Sequence, residues 1–254
     1  MADLLRRSLA PIPEAAWDEI DQIARTRLEG NLSARYVADF RGPLGFDCSS
    51  VNIGRVTACT AHEGDDIQCC VREVLPLVEV HVPFHLKLSE LLNASRGAAD
   101  VDWEPLEEAA VKAARFEEDA VYNGLKCLET PGILETASNK AVELPSDMAQ
   151  YTDAISEAIL RMQTAGMPGP YTLVLGAKAF RPMNNALPNG RSLRSVAKEL
   201  TGSDVLWSPA LKNGGVLLAN GEGNFELTIG QDFSVGYCCD GGHDEDDLCL
   251  YFIE

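Results

Sequence analysis

Residues 100–131, DVDWEPLEEAAVKAARFEEDAVYNGLKCLETP, read as one long amphipathic helix that frames the rest of the chain. Leu106, Ala109, Ala113, Phe116, Ala120 and Asn123 recur at alternating spacings of three and four, which puts them on one helix face. Asp102 stands where its side chain can cap the first turn. Pro105 falls where a missing N–H costs little, and acids crowd the positive end of the helix dipole. Glu108 and Lys112 make an i,i+4 pair on the solvent side. Helix is predicted as far as Leu128, with Pro131-Gly132 as the stop, a rod of about 39 Å at 1.5 Å per residue. A face made mostly of alanine lets its neighbour, expected to be a sheet, come close. The rod is read as a spine.

Before the spine, Pro13 opens a helix whose Trp17, Ile20, Ala24 and Leu28 form one stripe, ended by Gly30-Asn31. Simple core packing accounts for that stripe. SVNIGRVT (50–57) and IQCCVREV (67–74) flank a turn signal at residues 62–65 and predict a long two-stranded excursion. It carries too few apolar residues to hold a core, and an isolated hairpin is only marginally stable, so it needs a partner surface. Residues 76–88 alternate as the clearest strand, with Val78, Val80, Val82, Phe84, Leu86 and Leu88 on one side. Pro83 argues for an edge or a bulge there. His81 and His85 would lie about 13 Å apart on a strand, too far to share one metal ion.

After the spine, residues 146–166 predict a second amphipathic helix, capped by Ser146 or Asp147 and stopped by Gly166. Residues 169–176 are a short apolar strand. A Pro/Asn/Gly loop at 181–190 leads into a third helix at 190–202. Residues 214–219 and 224–229 read as strands joined at 220–223. The alternation across 141–224 suggests a compact α+β subdomain. The chain closes with GQDFSVGYCC, an acidic loop GGHDEDD at 241–247, and the strand LCLYFIE.

Lys and Arg total 21 against 39 Asp and Glu, a net charge of −18. Such a surface repels nucleic acid and anionic membranes. No apolar run is long enough to span a bilayer and no signal-peptide core is present, so a cytoplasmic protein is expected. The eight cysteines include no C-x-x-C pair, and free, mostly buried thiols are expected of a reducing compartment. No metal site is expected. The acidic loop at 241–247 matches no EF-hand, and the spine acids Glu107, Glu108, Glu117, Glu118 and Asp119 lack the histidines of a di-iron site. No phosphate-binding loop, dinucleotide fingerprint or nucleophile elbow occurs, and four scattered histidines offer no obvious general base. No catalytic residue and no cofactor is assigned. A structural or binding protein fits this profile better than an enzyme.

Read end to end, the chain resembles the encapsulins, the nanocompartment shell proteins once named after the bacteriocin linocin. The matching stretches are LLRRSLAPI with WDEID (17–21), FRGPLGF (40–46), VREVLPLVEVHVPF (71–84) and SRG (95–97). FEEDAVYNG (116–124), GPYTLVLG (169–176) and GNFELTIGQDFSVGY (223–237) follow in the family's order. The resemblance implies an α+β tailed-bacteriophage major-capsid fold. Residues 1–46 would be the N-terminal helix and arm of a peripheral domain, 47–75 an extended loop, and 76–140 the peripheral domain with its spine helix. Residues 141–222 would be an axial domain and 223–254 return strands of the peripheral domain.

It further implies self-assembly into an icosahedral shell that encapsulates a cargo enzyme, a ferritin-like protein or a peroxidase, through a C-terminal targeting peptide. By position, the cargo groove falls on Leu28, Arg35, Val37, Asp39, Asp232, Phe233 and Tyr237. The five-fold pore loop falls on Asn184, Asn185, Pro188, Asn189 and Gly190. Two departures stand out. Some relatives stack a flavin on a tryptophan where this chain has Ser89, and the family continues into one more strand where this chain stops at Glu254. The alternative functions are a bacteriocin-like or peptidase activity, or direct iron binding and storage.

Overall fold

A computed structural model describes residues 4–59, 69–128, 130–185, 187, 190–221, 223–238 and 246–254. In chain order the elements begin with helix α1 (Glu14–Glu29), α2 (Ala34–Val37) and the strands β1 (Asp39–Arg41), β2 (Ser50–Cys59), β3 (Cys69–Pro76) and β4 (His81–Lys87). Then come α3 (Leu88–Ser95), the spine α4 (Glu104–Asn123), α5 (Tyr151–Thr164), β5 (Tyr171–Leu175), α6 (Ala177–Phe180) and α7 (Leu193–Thr201). The chain ends in β6 (Leu206–Trp207), β7 (Gly215–Ala219), β8 (Glu226–Thr228), β9 (Ser234–Tyr237) and β10 (Asp247–Ile253).

The spine has 20 residues, about 30 Å, and is shorter than its sequence pattern suggests. Asp102 supports its start, accepting the Glu104 N–H at 3.1 Å. Its end comes at Gly124, whose φ of 79° leaves the helical region. The chain then folds back so tightly that a Cβ on Gly132 would sit 2.3 Å from the Gly124 nitrogen. Ile133 and Leu134 donate their N–H groups to the carbonyls of Val121 and Tyr122. The last helical acceptors are thus used by returning chain, and Pro131 ends nothing.

The buried face also differs from the predicted stripe. Leu106, Ala109 and Ala113 are buried, but the face continues through Ala110, Ala114, Glu117, Glu118 and Tyr122, while Phe116 stays 38% exposed. Two carboxylates can take the inner positions because donors meet them there, as described below.

α1 packs on the spine through Ala16, Trp17, Ile20, Ala24 and Leu28, in one core cluster with Phe84, Leu86, Leu250 and Phe252 of the sheet β4-β10-β9. β4 lies at the edge of that sheet, which suits Pro83. A second sheet, β6-β5-β7, packs with α5 and α7 around Leu173, Leu175, Met183 and Leu193. Asp147, one of the two predicted caps, accepts the Ala149 N–H at the 3-10 turn that leads into α5, and α5 itself starts at Tyr151 with no side-chain cap. Ser192, not singled out from sequence, caps α7 by accepting the Ser195 N–H. The strand expected over 76–88 is shorter: β3 ends at Pro76, residues 77–80 are in no strand, and β4 pairs with β10 from His81 to Lys87. The last residue of the expected strand, Leu88, begins α3 instead. The two strands expected at 214–219 and 224–229 do not pair with each other: β7 pairs antiparallel with β5 and β8 pairs parallel with β1.

β2 and β3 form the predicted arm, antiparallel from Ser50↔Pro76 to Cys59↔Cys69 with an irregularity between Asn52 and Val56. The turn expected at 62–65 and most of the acidic loop at 241–247 lie outside the described residues. Cys48, Cys70, Cys127, Cys238 and Cys249 are thiols, as expected, and Cys69 is disulfide-bonded. The thiols are not buried, however: Cys70 and Cys127 are exposed and the other three are half-buried.

Candidate functional site

Arg35, on α2, draws together residues from four parts of the chain. Its Nε lies 2.9 Å from Glu117 Oε1, its Nη1 2.8 Å from Asp232 Oδ1, and its Nη2 3.2 Å from Glu254 Oε1. The guanidinium also stands 4.9 Å over the Phe233 ring and 5.2 Å over that of Phe40. Burial works against its charge, but hydrogen bonds and attraction from Glu117 and Asp232 outweigh that and hold it more firmly protonated than usual. Three carboxylates on one cation leave an excess of negative charge. Glu254 relieves it: burial first, then its hydrogen bond with Glu117 and that group's charge, push its carboxyl up to about 10. Glu254 therefore carries a proton at neutral pH.

One helical turn alternates roles here, because the next residue is buried toward a different neighbour. Glu118 is fully enclosed. Its Oε1 accepts the Ala34 N–H at 2.6 Å, and its Oε2 accepts Ser33 Oγ at 2.6 Å and Ser208 Oγ at 2.5 Å. Ser33 Oγ is also 3.0 Å from the Tyr122 hydroxyl. Burial raises the Glu118 carboxyl above its ordinary range, while the serine hydroxyls and the Ala34 N–H oppose that shift. The cluster stitches the segment before β1 and the segment after β6 to the middle of the spine.

Of the seven predicted groove residues, Arg35, Asp232 and Phe233 meet in one place. Leu28 is buried in the core beside α4, where its stripe is structural, and Val37 packs against a different core cluster around Tyr122 and Leu211. Asp39 Oδ2 accepts the Gly223 N–H at 2.6 Å. Tyr237, on β9, is half-buried against the α1–spine core. In the predicted pore loop, Asn184 ends a short 3-10 turn, the Asn185 carbonyl accepts from Leu193, and Gly190 has a φ of 78°. Pro188 and Asn189 lie outside the described residues. Sequence reasoning passed over Ser33, Ser208 and the buried roles of Glu117 and Glu118. The available signal was that two acids stand at 117–118 in phase with Ala110 and Ala113–Ala114.

Beside this cluster opens a cavity of about 870 Å3. Spine residues Phe116, Ala120 and Val121 form its floor, and the β3–β4 link and the segment carrying β8 form its walls. Among the described residues no group of three His, Cys, Asp or Glu side chains is placed to hold a metal ion, and no helix is long and apolar enough to cross a membrane.

A family model described as an encapsulating protein for peroxidase matches residues 2–254. A type 1 encapsulin shell protein of Rhodospirillum rubrum is 38% identical over 260 residues, covering 100% of this chain and 91% of that protein. Among solved structures, a virus-like particle from Pyrococcus furiosus superposes with a TM-score of 0.64 at 18% identity, over 94% of this chain and 92% of that one. A chain of Microbacterium phage Oxtober96 gives 0.54 at 17% identity, over 88% and 83%. These two share the fold, a mixed α and β architecture of the phage-capsid type. The full-length family match and the identity to the Rhodospirillum relative establish that the chain belongs to the encapsulin family.

Proposed function

We propose that this protein is the subunit of a closed icosahedral shell in the cytoplasm and that the shell loads a cargo enzyme by its C-terminal peptide. The observation that carries the assembly is the β2–β3 arm. Val56, Val71 and Val74 are 61%, 58% and 47% exposed on it, apolar side chains on a two-stranded ladder that a partner surface would cover. The arm corresponds to the extended loop over 47–75, and the elements around α5, β5 and α7 correspond to the axial domain whose loop at 181–190 would line the pore. The name of the family model supports a peroxidase as cargo, with a ferritin-like protein as the second candidate. The cargo peptide would lie across Arg35, Asp39, Asp232, Phe233 and Tyr237, with Leu28 and Val37 supporting that surface from within. An apolar peptide with one or two charges suits such a surface. Tethering many copies in one shell would make weak individual contacts sufficient.

Light scattering and electron microscopy of the purified protein test the assembly: closed particles far above the 27.5 kDa subunit are expected, and a monomer at every concentration would refute it. Co-expression with a reporter carrying the cargo's C-terminal peptide tests loading. The reporter should co-purify with shells and lose that association when the peptide is removed.

A further inference from the structure

The sheet β4-β10-β9 carries a row of three reactive side chains on the face turned away from α1 and the spine. Leu86, Leu248 and Leu250 are buried in the core, so the residues alternating with them turn outward. Cys249 of β10 stands opposite His85 of β4. The β9–β10 register, continued by one residue, sets Cys238 opposite Cys249, and the Cys238 N–H donates to the Cys249 carbonyl at 2.9 Å. Directly opposite residues share a face, so the row runs His85, Cys249, Cys238. Both cysteines are half-buried thiols, and His85 is exposed. Hydrogen bonds between β4 and β10 fall at Leu88–Asp246 and Val80–Glu254. Alternation then makes His85 and Cys249 a non-hydrogen-bonded pair, with Cα atoms about 4.5 Å apart and side chains close. Cys238 and Cys249 are a hydrogen-bonded pair at about 5.5 Å, within the Cα separation that a disulfide bridges.

We infer that Cys238 and Cys249 form a reversible redox site, which hydrogen peroxide converts to a disulfide with His85 as the base for Cys249. His85 takes the Cys249 thiol proton, and the thiolate attacks one peroxide oxygen. The O–O bond breaks, and the leaving hydroxide recovers the proton from His85 as water. Cys249 is then a sulfenic acid. The Cys238 thiol attacks that sulfur, the S–S bond forms, the S–O bond breaks, and hydroxide leaves with the Cys238 proton as a second water. Two thiols lose two electrons and two protons to one peroxide, and a dithiol reductant reverses the step. The bond closes residues 238–249 into a covalent ring and pins β10, the central strand of the sheet, to β9. It thereby holds the strand that delivers Glu254 to Arg35. Cys48 and Cys127 lie on no strand and are internal controls.

The test treats the reduced full-length protein with hydrogen peroxide, quenches, denatures and labels the remaining thiols with N-ethylmaleimide. Chymotrypsin cuts after Tyr237 and Leu248, which separates Cys238 from Cys249 unless a disulfide joins them. The joined peptides should accumulate while Cys48 and Cys127 stay labelled. Cys239 lies outside the described residues, so two variants fix the partner: the bond should persist in Cys239→Ser and vanish in Cys238→Ser. Labelled or over-oxidised Cys238 and Cys249, or a bond that survives Cys238→Ser, would overturn the site. His85→Gln should slow the reaction about tenfold while leaving the urea midpoint of the reduced chain where it was. An unchanged rate would remove His85 from the step. Oxidation should raise the urea midpoint of the parent chain, dithiothreitol should return it, and Cys238→Ser should show neither change. A midpoint that ignores the bond would overturn the pinning of β10.

Discussion

The middle of the spine and the arm treat charge and apolar surface in opposite ways. The spine buries two adjacent carboxylates and satisfies both within one chain, Glu117 on Arg35 and Glu118 on Ser33, Ala34 and Ser208. The arm leaves Val56, Val71 and Val74 in solvent on a ladder of two strands. A polar group buried without partners is costly, so the spine could bury its acids only where donors were brought to them. Exposed valines cost a folded subunit little, but they reward any surface that covers them. One region is complete in the subunit, and the other is the one that the proposed shell would complete.

The sharpest way to break this comparison is to delete residues 50–69. Particles should vanish altogether, while circular dichroism and a cooperative melt show the spine and the β6-β5-β7 unit still folded. Intact shells from that variant would make the arm dispensable, and loss of folding would make it part of the core.

The next largest effect belongs to the spine. Glu118→Ala strips an acceptor from two hydroxyls and one N–H in an enclosed site, and should lower stability by about 3–5 kcal/mol in urea unfolding. A loss well under that would mean the cluster relaxes or admits water.

A pH series sharpens the same contrast. The Glu254 carboxyl, raised to about 10 in the folded chain, keeps a proton that the unfolded chain loses near the ordinary glutamate value of about 4.3. Between those values the folded state holds more protons, so stability is full at the acid end and falls as pH rises. One such group contributes at most about 1.4 kcal/mol per pH unit. Glu254→Gln keeps the shape and removes the titration. It should flatten the slope of urea midpoint against pH between about 5 and 9, and an unchanged slope would place the extra proton elsewhere.

The smallest effect on the subunit should come from Phe116→Ser. Its ring is 38% exposed although it sits on the spine, so unfolding free energy should shift by no more than about 1 kcal/mol. Particle yield should fall much further. Equal effects on both would return Phe116 to the spine's own packing.

Local pattern was enough for much of the fold. The stripe Trp17, Ile20, Ala24 and Leu28, the cap Asp147, the stop Gly166 and the two-stranded arm all depend on residues a few positions apart. The motifs in family order likewise carried the family and its architecture. Tertiary structure alone decided what the spine's inner face is and what the groove residues do. Arg35 meets Glu117, Asp232 and Glu254 across separations of 82, 197 and 219 residues, and Glu118 meets Ser33 and Ser208 across 85 and 90. Helical periodicity marks Phe116 as an inward candidate because it scores hydrophobicity along one element. Whether Phe116 or Glu118 turns inward depends on donors delivered from distant segments, and a one-dimensional pattern holds no record of them.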